Sequence, residues 1–420
     1  MNIYFFIILI TLIGIFVVDS ISQLINIKSL SLDLPEEFTG IYNSDEYKRS
    51  IEYIKTRELF ELIESSSDIA VLLVFWLSGG FNWVDIWIRK ANYHPIVNGL
   101  LFFGILMITK HIIFMPFNIY STFVIEEKYG FNKTTVKTFI FDQIKMLLLI
   151  SFLGGSILSG LLGFFQLAGS FAWLYGFLTA TIFIIFLQFV APTWIMPIFN
   201  KFTPLKEGEL KTAIMNYSHS VEFPLQGLFV IDGSKRSTKS NAFFTGFGKN
   251  KRIALFDTLI EKHSVLELVS ILAHEIGHYK KKHIIKNMII SIIEMGVFFY
   301  LLSFFISKKE IFDAFYFKNM SIYAGFMVFI LLYSPISFIL SLLMQILSRK
   351  HEYEADNFAV ETTKDPESLI KSLKKLAISN MSNLTPHPFY VFLHYSHPPI
   401  LLRIKNIREY SNRSIFPYHL

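Results

Sequence analysis

His274-Glu275-Ile276-Gly277-His278 sets two imidazoles four residues apart, with a carboxylate beside the first. On a helix, residues i and i+4 share a face, so both rings can reach one metal ion. Glu275 lies on the neighbouring face, where it can serve as base toward a water at that ion. These are the residue types of a zinc hydrolase. With 12 His in 420 residues, chance would produce the pattern on the order of 0.02 times per chain, which disfavours a surface helix with two solvated histidines. A catalytic zinc needs a third protein ligand and an open position. Ser348-Arg349-Lys350-His351-Glu352-Tyr353-Glu354-Ala355-Asp356 offers Glu352 and Asp356, again four apart and on one face. One carboxylate can bind the metal while the other accepts the N–H of a ligating histidine; the spacing does not say which. Taken alone, this segment reads as an ordinary charged cap beside a membrane. The chain has no cysteine, so any metal rests on His, Asp or Glu, and disulfides and thiol nucleophiles are excluded.

Those side chains need elements to hold them. Ser264-Val265-Leu266-Glu267 is a capping box that opens the helix carrying His274 and His278. Upstream, residues 208–222 read as an amphipathic helix. Residues 228–232, 242–247 and 252–257 read as three short strands separated by Gly, Ser and Asn, a small three-stranded meander. Gly246 and Gly248 lack the Gly-Lys-Ser/Thr spacing of a phosphate loop. His283, His351, His387 and His394 read as interfacial residues rather than ligands, and lysines 280–282 as a solvated flank beside a membrane surface.

The rest of the chain is built for lipid. Apolar residues make up 52% and charged ones 17%, with a mean hydropathy of +0.46. An average soluble domain carries about 25% charged residues, so a simple soluble enzyme is excluded. Forty-five Phe and five Trp suit a lipid-facing surface. Seven apolar runs reach the roughly 20 residues of a spanning helix: 3–25, 66–88, 96–117, 147–167, 171–197, 284–306 and 321–347. The first has no basic residue before it and no small-x-small cleavage site after it, so it reads as a retained helix rather than a signal peptide. The second is interrupted by Gly79-Gly80 and carries Asp85 near its end. With seven spans and an external N-terminus, the two short inner loops (26–65 and 118–146) hold nine Lys and Arg against five in the outer ones. The positive-inside rule then puts the 198–283 loop and the C-terminal part on the cytoplasmic side. The same rule explains the net charge of +6 and pI of about 9.1 without a nucleic-acid partner. Lys110, His111, Gln188 and Glu294 fall inside spans, where such groups often line a water-filled cavity; the alternative for Lys110 is that it snorkels or pairs with a carboxylate.

The 274–278 motif, residues 348–356, residues 233–248 (GSKRSTKSNAFFTGFG) and Tyr395-Ser396-His397-Pro398-Pro399 together resemble the integral-membrane CAAX prenyl proteases of the type 1 class. Residues 200–205 (NKFTPL) and 126–135 (EEKYGFNKTT) match as well, in the same order. The resemblance implies a mainly α protein of seven transmembrane helices enclosing a water-filled chamber, with a gluzincin-type zinc site at its cytosolic end. It implies one Zn²⁺ held by His274, His278 and Glu352, with Glu275 as general base and Asp356 as partner of His274. It further implies that Asn241 binds substrate backbone, that His397 stabilises the developing oxyanion and that Arg403 helps to order the site. The strand containing Asn241, Ala242, Phe243 and Phe244 could accept an extended peptide by edge pairing.

Four regions are expected. Residues 1–197 hold membrane helices one to five, and 198–283 a cytoplasmic-side loop domain with the strands and the His-Glu motif. Residues 284–347 hold helices six and seven, and 348–420 a C-terminal domain with the third ligand. The leading expectation is a zinc metalloendopeptidase cutting near the C-terminus of prenylated CAAX-type substrates. It would sit in a bacterial inner membrane or the endoplasmic-reticulum membrane, with a peptide or protein and the lipid bilayer as partners. The same chemistry could instead serve membrane-protein quality control. A transporter or channel using Lys110, His111 and Glu294 is the reading of another class.

Overall fold

The computed structural model describes residues 2–245 and 251–414; Gly246 and Phe247, the end of the second expected strand, lie outside them, as does Gly248. Apolar runs become helices because lipid offers backbone N–H and C=O groups no partner but one another. In chain order these are α1 (Ile3–Lys28), α2 (Ser44–Leu77), α3 (Gly80–Arg89), α4 (Pro95–Glu126), α5 (Val136–Leu167) and α6 (Gly169–Phe199). After a region of mixed structure come the apolar helix His283–Phe305 and the bent pair Ile322–Leu332 and Ser334–Thr363. Among the described residues five helices are long and apolar enough to cross a membrane, or seven if each of two bent pairs is one span. The protein is multi-pass.

The second expected span is one of those bent pairs. α2 and α3 meet at 60°, where Gly79 takes φ +75°, a left-handed conformation that glycine adopts without steric cost. The Gly79-Gly80 interruption is thus a corner. α4 and α5 run beyond the bilayer-length segments expected at 96–117 and 147–167, because their polar ends continue helically into the part outside the lipid. Thr135 caps α5, its side chain accepting from the Thr138 N–H. Lys110 forms an ion pair with Asp68 at 2.7 Å, the carboxylate partner allowed for it by the sequence.

Between the two helical groups lie β1 (Phe202–Pro204), α7 (Glu209–Ser220), β2 (Leu225–Ile231), β3 (Ala242–Thr245) and β4 (Lys251–Phe256). All three expected strands form, and β1 adds a fourth. Their order, β1-β2-β4-β3, is not a meander: β4 runs parallel to β2 and antiparallel to β3. The correction has a physical cause. Ile253, Ala254 and Leu255 are all buried, and a strand buried on both faces belongs in the middle of a sheet. β3 is left at the edge.

The helices of seven or more residues that follow are Val265–Lys280, the apolar helix His283–Phe305, the bent pair Ile322–Leu332 and Ser334–Thr363 (52°), and Pro366–Ser379, Pro388–His394 and Ile400–Ser414. They are numbered α8 to α14 in that order. One core lies among the membrane helices, where Trp76 stacks on Phe315 (4.5 Å between centroids) and donates to the Ala314 carbonyl. A second packs the sheet against α8, α11, α12 and α14 through Ile253, Leu272, Ile276, Val360 and Ile404. A third, largely aromatic, joins α2 to the C-terminal helices through Tyr47, Tyr53, Tyr129 and Leu384.

Candidate metal centre

α8 begins where the sequence places it. The Ser264 side chain accepts from the Glu267 N–H, and Glu267 Oε2 accepts from the Ser264 N–H at 2.8 Å. Glu267 is buried and also meets Lys375 Nζ at 2.7 Å, so the box is anchored to α12. From that start the helix carries His274 and His278 onto one face, against α11. The two helices approach closely at Gly277, where a Cβ would lie 3.0 Å from the Ala355 Cα and carbonyl oxygen.

This crossing brings His274, His278 and Glu352 together, with one potential ligand atom of each within 4.8 Å of the others. The two Nε2 atoms stand 3.1 Å apart. Glu352 Oε1 lies 3.2 Å from His278 Nε2, and Oε2 lies 3.4 Å from His274 Nε2. Glu352 Oε2 is buried and makes no hydrogen bond among the described residues. A buried carboxylate oxygen without a donor is costly, and two imidazole lone pairs aimed at one point repel unless a cation or proton lies between them. The donor set fits a metal ion of the nitrogen- and oxygen-binding kind. Glu275 is half-buried beside it; burial pushes its carboxyl above the ordinary value, against the pull of His274 and His278.

Asp356 is fully buried one helical turn from Glu352. Its Oδ1 accepts from His274 Nδ1 at 2.9 Å, and Arg403 donates to both its oxygens at 2.8 and 2.6 Å. Arg403 Nη1 also lies 3.4 Å from Glu352 Oε2. The same guanidinium therefore faces both carboxylates of α11. His397 sits at the rim, its Nε2 3.4 Å from Glu352 Oε1. The Ser396 Oγ lies 2.9 Å from its Nδ1; a hydroxyl donating there leaves the ring proton on Nε2. Desolvation at the rim lowers the His397 pKa, with Glu352 opposing.

The sheet edge borders this cluster. A cavity of about 170 Å³ is lined by Asn241, Ala242, His274, Glu275, His397 and Arg403, among others. Asn241 Oδ1 accepts from the Ala242 N–H at 2.8 Å. Phe243 and Phe244 follow in β3, paired in register with Ala254 and Ile253. A larger cavity of about 590 Å³ meets the site at His397 and Arg403 and extends past Tyr395, Tyr53, Arg57 and Lys239.

Two histidines read as interfacial prove to be interior. His283 and His351 are 2% and 3% exposed, and their rings stack at 3.9 Å. His283 also touches His278 and Glu354. Sequence spacing hides this contact. His283 is five residues after His278, a poor helical match, but Lys282 takes φ +59° and ends one helix before the next begins. That kink swings His283 back against the motif.

Residues 23–201 match the family model described as CAAX prenyl protease N-terminal, five membrane helices, and residues 204–411 match Peptidase family M48. The chain is 35% identical to CAAX prenyl protease 1 of Saccharomyces cerevisiae, over 88% of this chain and 87% of that one. It is 32% identical to the human CAAX prenyl protease 1 homolog, over 89% and 88% of the two chains. The crystal structure of S. mikatae Ste24p matches with a TM-score of 0.90 and 34% identity, covering 97% of this chain and 99% of that one.

Proposed function

The chain belongs to peptidase family M48, and we propose that within this family of metallopeptidases it is a zinc endopeptidase cutting near the C-terminus of prenylated CAAX-type substrates. The observation that carries the reading is the meeting of His274, His278 and Glu352 beside an edge strand. The substrate class comes from the names of the relatives, CAAX prenyl proteases. The charge bias of the loops supports a site on the cytoplasmic side, in an endoplasmic-reticulum or bacterial inner membrane. The four-part organisation given above (1–197, 198–283, 284–347, 348–420) belongs to the same proposal.

In this reading His274, His278 and Glu352 hold Zn²⁺, which when bound polarises the scissile carbonyl and makes water a nucleophile near neutral pH. Glu275 takes the proton of the attacking water and delivers it to the leaving amine. Its raised pKa suits both halves of that task. His397 donates Nε2–H to the developing oxyanion; loss of one such donor costs about 10²–10³ in rate. Asp356, neutralised by Arg403, accepts from His274 and so keeps the opposite nitrogen of that ring bare for the metal. An extended peptide lies along the outer edge of β3, bonded by backbone groups at Ala242, Phe243 and Phe244 and by the Asn241 amide. Backbone pairing tolerates varied side chains.

Glu275→Gln in detergent tests the assignment. The variant keeps stoichiometric zinc and loses peptide hydrolysis; turnover at the wild-type rate overturns the role. Prenylated and unprenylated forms of one peptide separate the CAAX reading from general quality control. Equal kcat/KM on the two removes the prenyl requirement.

A further inference from the structure

A histidine that binds a metal through Nε2 keeps its proton on Nδ1, and that N–H needs an acceptor that fixes the ring and raises its basicity. The proposed ligand His274 has a carboxylate for this, Asp356. Among the described residues no carboxylate stands against His278 Nδ1. The atom facing its Nδ1 is His283 Nδ1, at 3.0 Å. Two ring nitrogens at that distance make a hydrogen bond only if one carries the proton and the other is bare. With His278 donating, His283 must be protonated on Nε2, and that nitrogen meets Glu354 Oε2 at 2.9 Å. Each group in the chain then has one proton and one acceptor, with no conflict.

The surroundings hold the relay in place. His283 is buried, and its ring lies flat on His351 at 3.9 Å with 10° between planes, so it cannot rotate to release His278. Glu354 is partly exposed and also near Lys286 (3.9 Å) and Lys350 (4.0 Å). Both cations favour the ionised carboxylate that the relay needs as its terminal acceptor.

We propose that His283 and Glu354 form a positioning relay for His278, locking its tautomer and aiming its Nε2 at the metal. The proposal rests on His278 being a metal ligand, as given above. His283 touches no reacting atom; it acts through His278. The two ligand histidines are thus oriented by different means: a carboxylate neutralised by arginine for one, and a neutral imidazole backed by a carboxylate for the other.

The test reads metal binding rather than turnover. Full-length protein in detergent is stripped with a chelator and titrated with Zn²⁺ in competition with a chromophoric chelator, and with Co²⁺ while its visible d–d bands are recorded. His283→Phe preserves an aromatic ring against His351 but supplies no acceptor. It weakens Zn²⁺ about 10–100-fold and shifts the cobalt bands. His283→Gln, whose amide can accept from His278 and donate to Glu354, recovers most of the affinity. Glu354→Ala weakens binding on its own and adds little to His283→Phe, because both break the same chain. Thermal unfolding of the metal-free proteins separates a folding defect from a binding one: the relay requires Glu354→Ala to lose affinity with an unchanged melting temperature. Wild-type affinity and wild-type cobalt bands in both His283→Phe and Glu354→Ala overturn the relay. So do two Zn²⁺ per wild-type chain with the second lost in His283→Phe, since His283 would then be a ligand itself. A wild-type protein that binds no Zn²⁺ would instead sink the metal-centre reading on which the relay depends.

Discussion

At the scale of single residues, the site is a set of buried charges that are stable only together. Arg403 donates twice to Asp356 and lies beside Glu352. Removing one partner of a buried pair leaves an uncompensated charge, at a cost of about 3–5 kcal/mol. Arg403→Leu should therefore lower the midpoint of thermal unfolding, and Asp356→Asn in the same chain should restore part of the loss. A double variant no more stable than Arg403→Leu counts against this coupling. Glu352→Ala should lower zinc occupancy as well as turnover, read by metal analysis of the purified protein. Stoichiometric zinc in that variant removes Glu352 from the ligand set. The pH profile has a definite sign. As the proposed base, Glu275 must be ionised to take a proton, and burial holds its pKa above the ordinary 4.5. Thus kcat/KM falls as pH drops through that raised value, and rises toward neutrality. Metal content measured across the same limb distinguishes protonation of Glu275 from release of the ion.

At the scale of elements, the proposed third ligand, Glu352, arrives through one close helix crossing. Gly277 on α8 faces the Ala355 backbone on α11, three residues from Glu352. A Cβ would press on backbone, which cannot rotate away as a side chain can. Gly277→Val should push the helices apart and weaken zinc binding at least tenfold, although valine is no worse a helix former than glycine. Circular dichroism with a chelator competition checks both halves; unchanged zinc affinity would show that the crossing has slack. The capping box makes a separate prediction. Glu267→Ala removes a cap and a partner of Lys375, and a lost cap alone costs about 0.5–2 kcal/mol. The loss should appear in the unfolding midpoint, with little change in the chemistry of the metal-loaded protein.

At the scale of the whole molecule, the catalytic part is pinned to the membrane part by polar contacts as well as by the aromatic core. Arg236 donates to both oxygens of Asp142 on α5 at 2.8 and 2.9 Å and to Asn200 Oδ1 at 2.6 Å. Lys239 meets Glu126 at the end of α4 and the Tyr53 hydroxyl on α2, both at 2.8 Å. Both cations lie in the segment that leads into β3, so they fix the edge strand relative to the membrane helices. Arg236→Ala should raise KM for peptide with metal content unchanged. A fall in kcat alone, with KM constant, would mean that the segment does not place the substrate edge.

Local periodicity decided what the sequence by itself could decide. Apolar runs of bilayer length, the i, i+4 histidines and the Ser264–Glu267 box depend on residues within one or two helical turns, and the chain obeys them almost wherever it goes. Gly79-Gly80 was visible as a break for the same reason. The tertiary structure decided the rest, because each remaining point depends on how distant elements cross. Glu352 and Asp356 share one face of one helix, and spacing cannot rank them; the closeness of α8 and α11 at Gly277 puts the first beside the imidazoles and sends the second to His274 Nδ1. The three strands were legible as strands, but their order follows from which of them is buried on both faces. His283 reads as an interfacial residue because a left-handed Lys282 has no sequence signal, yet that one turn folds it back into contact with His278.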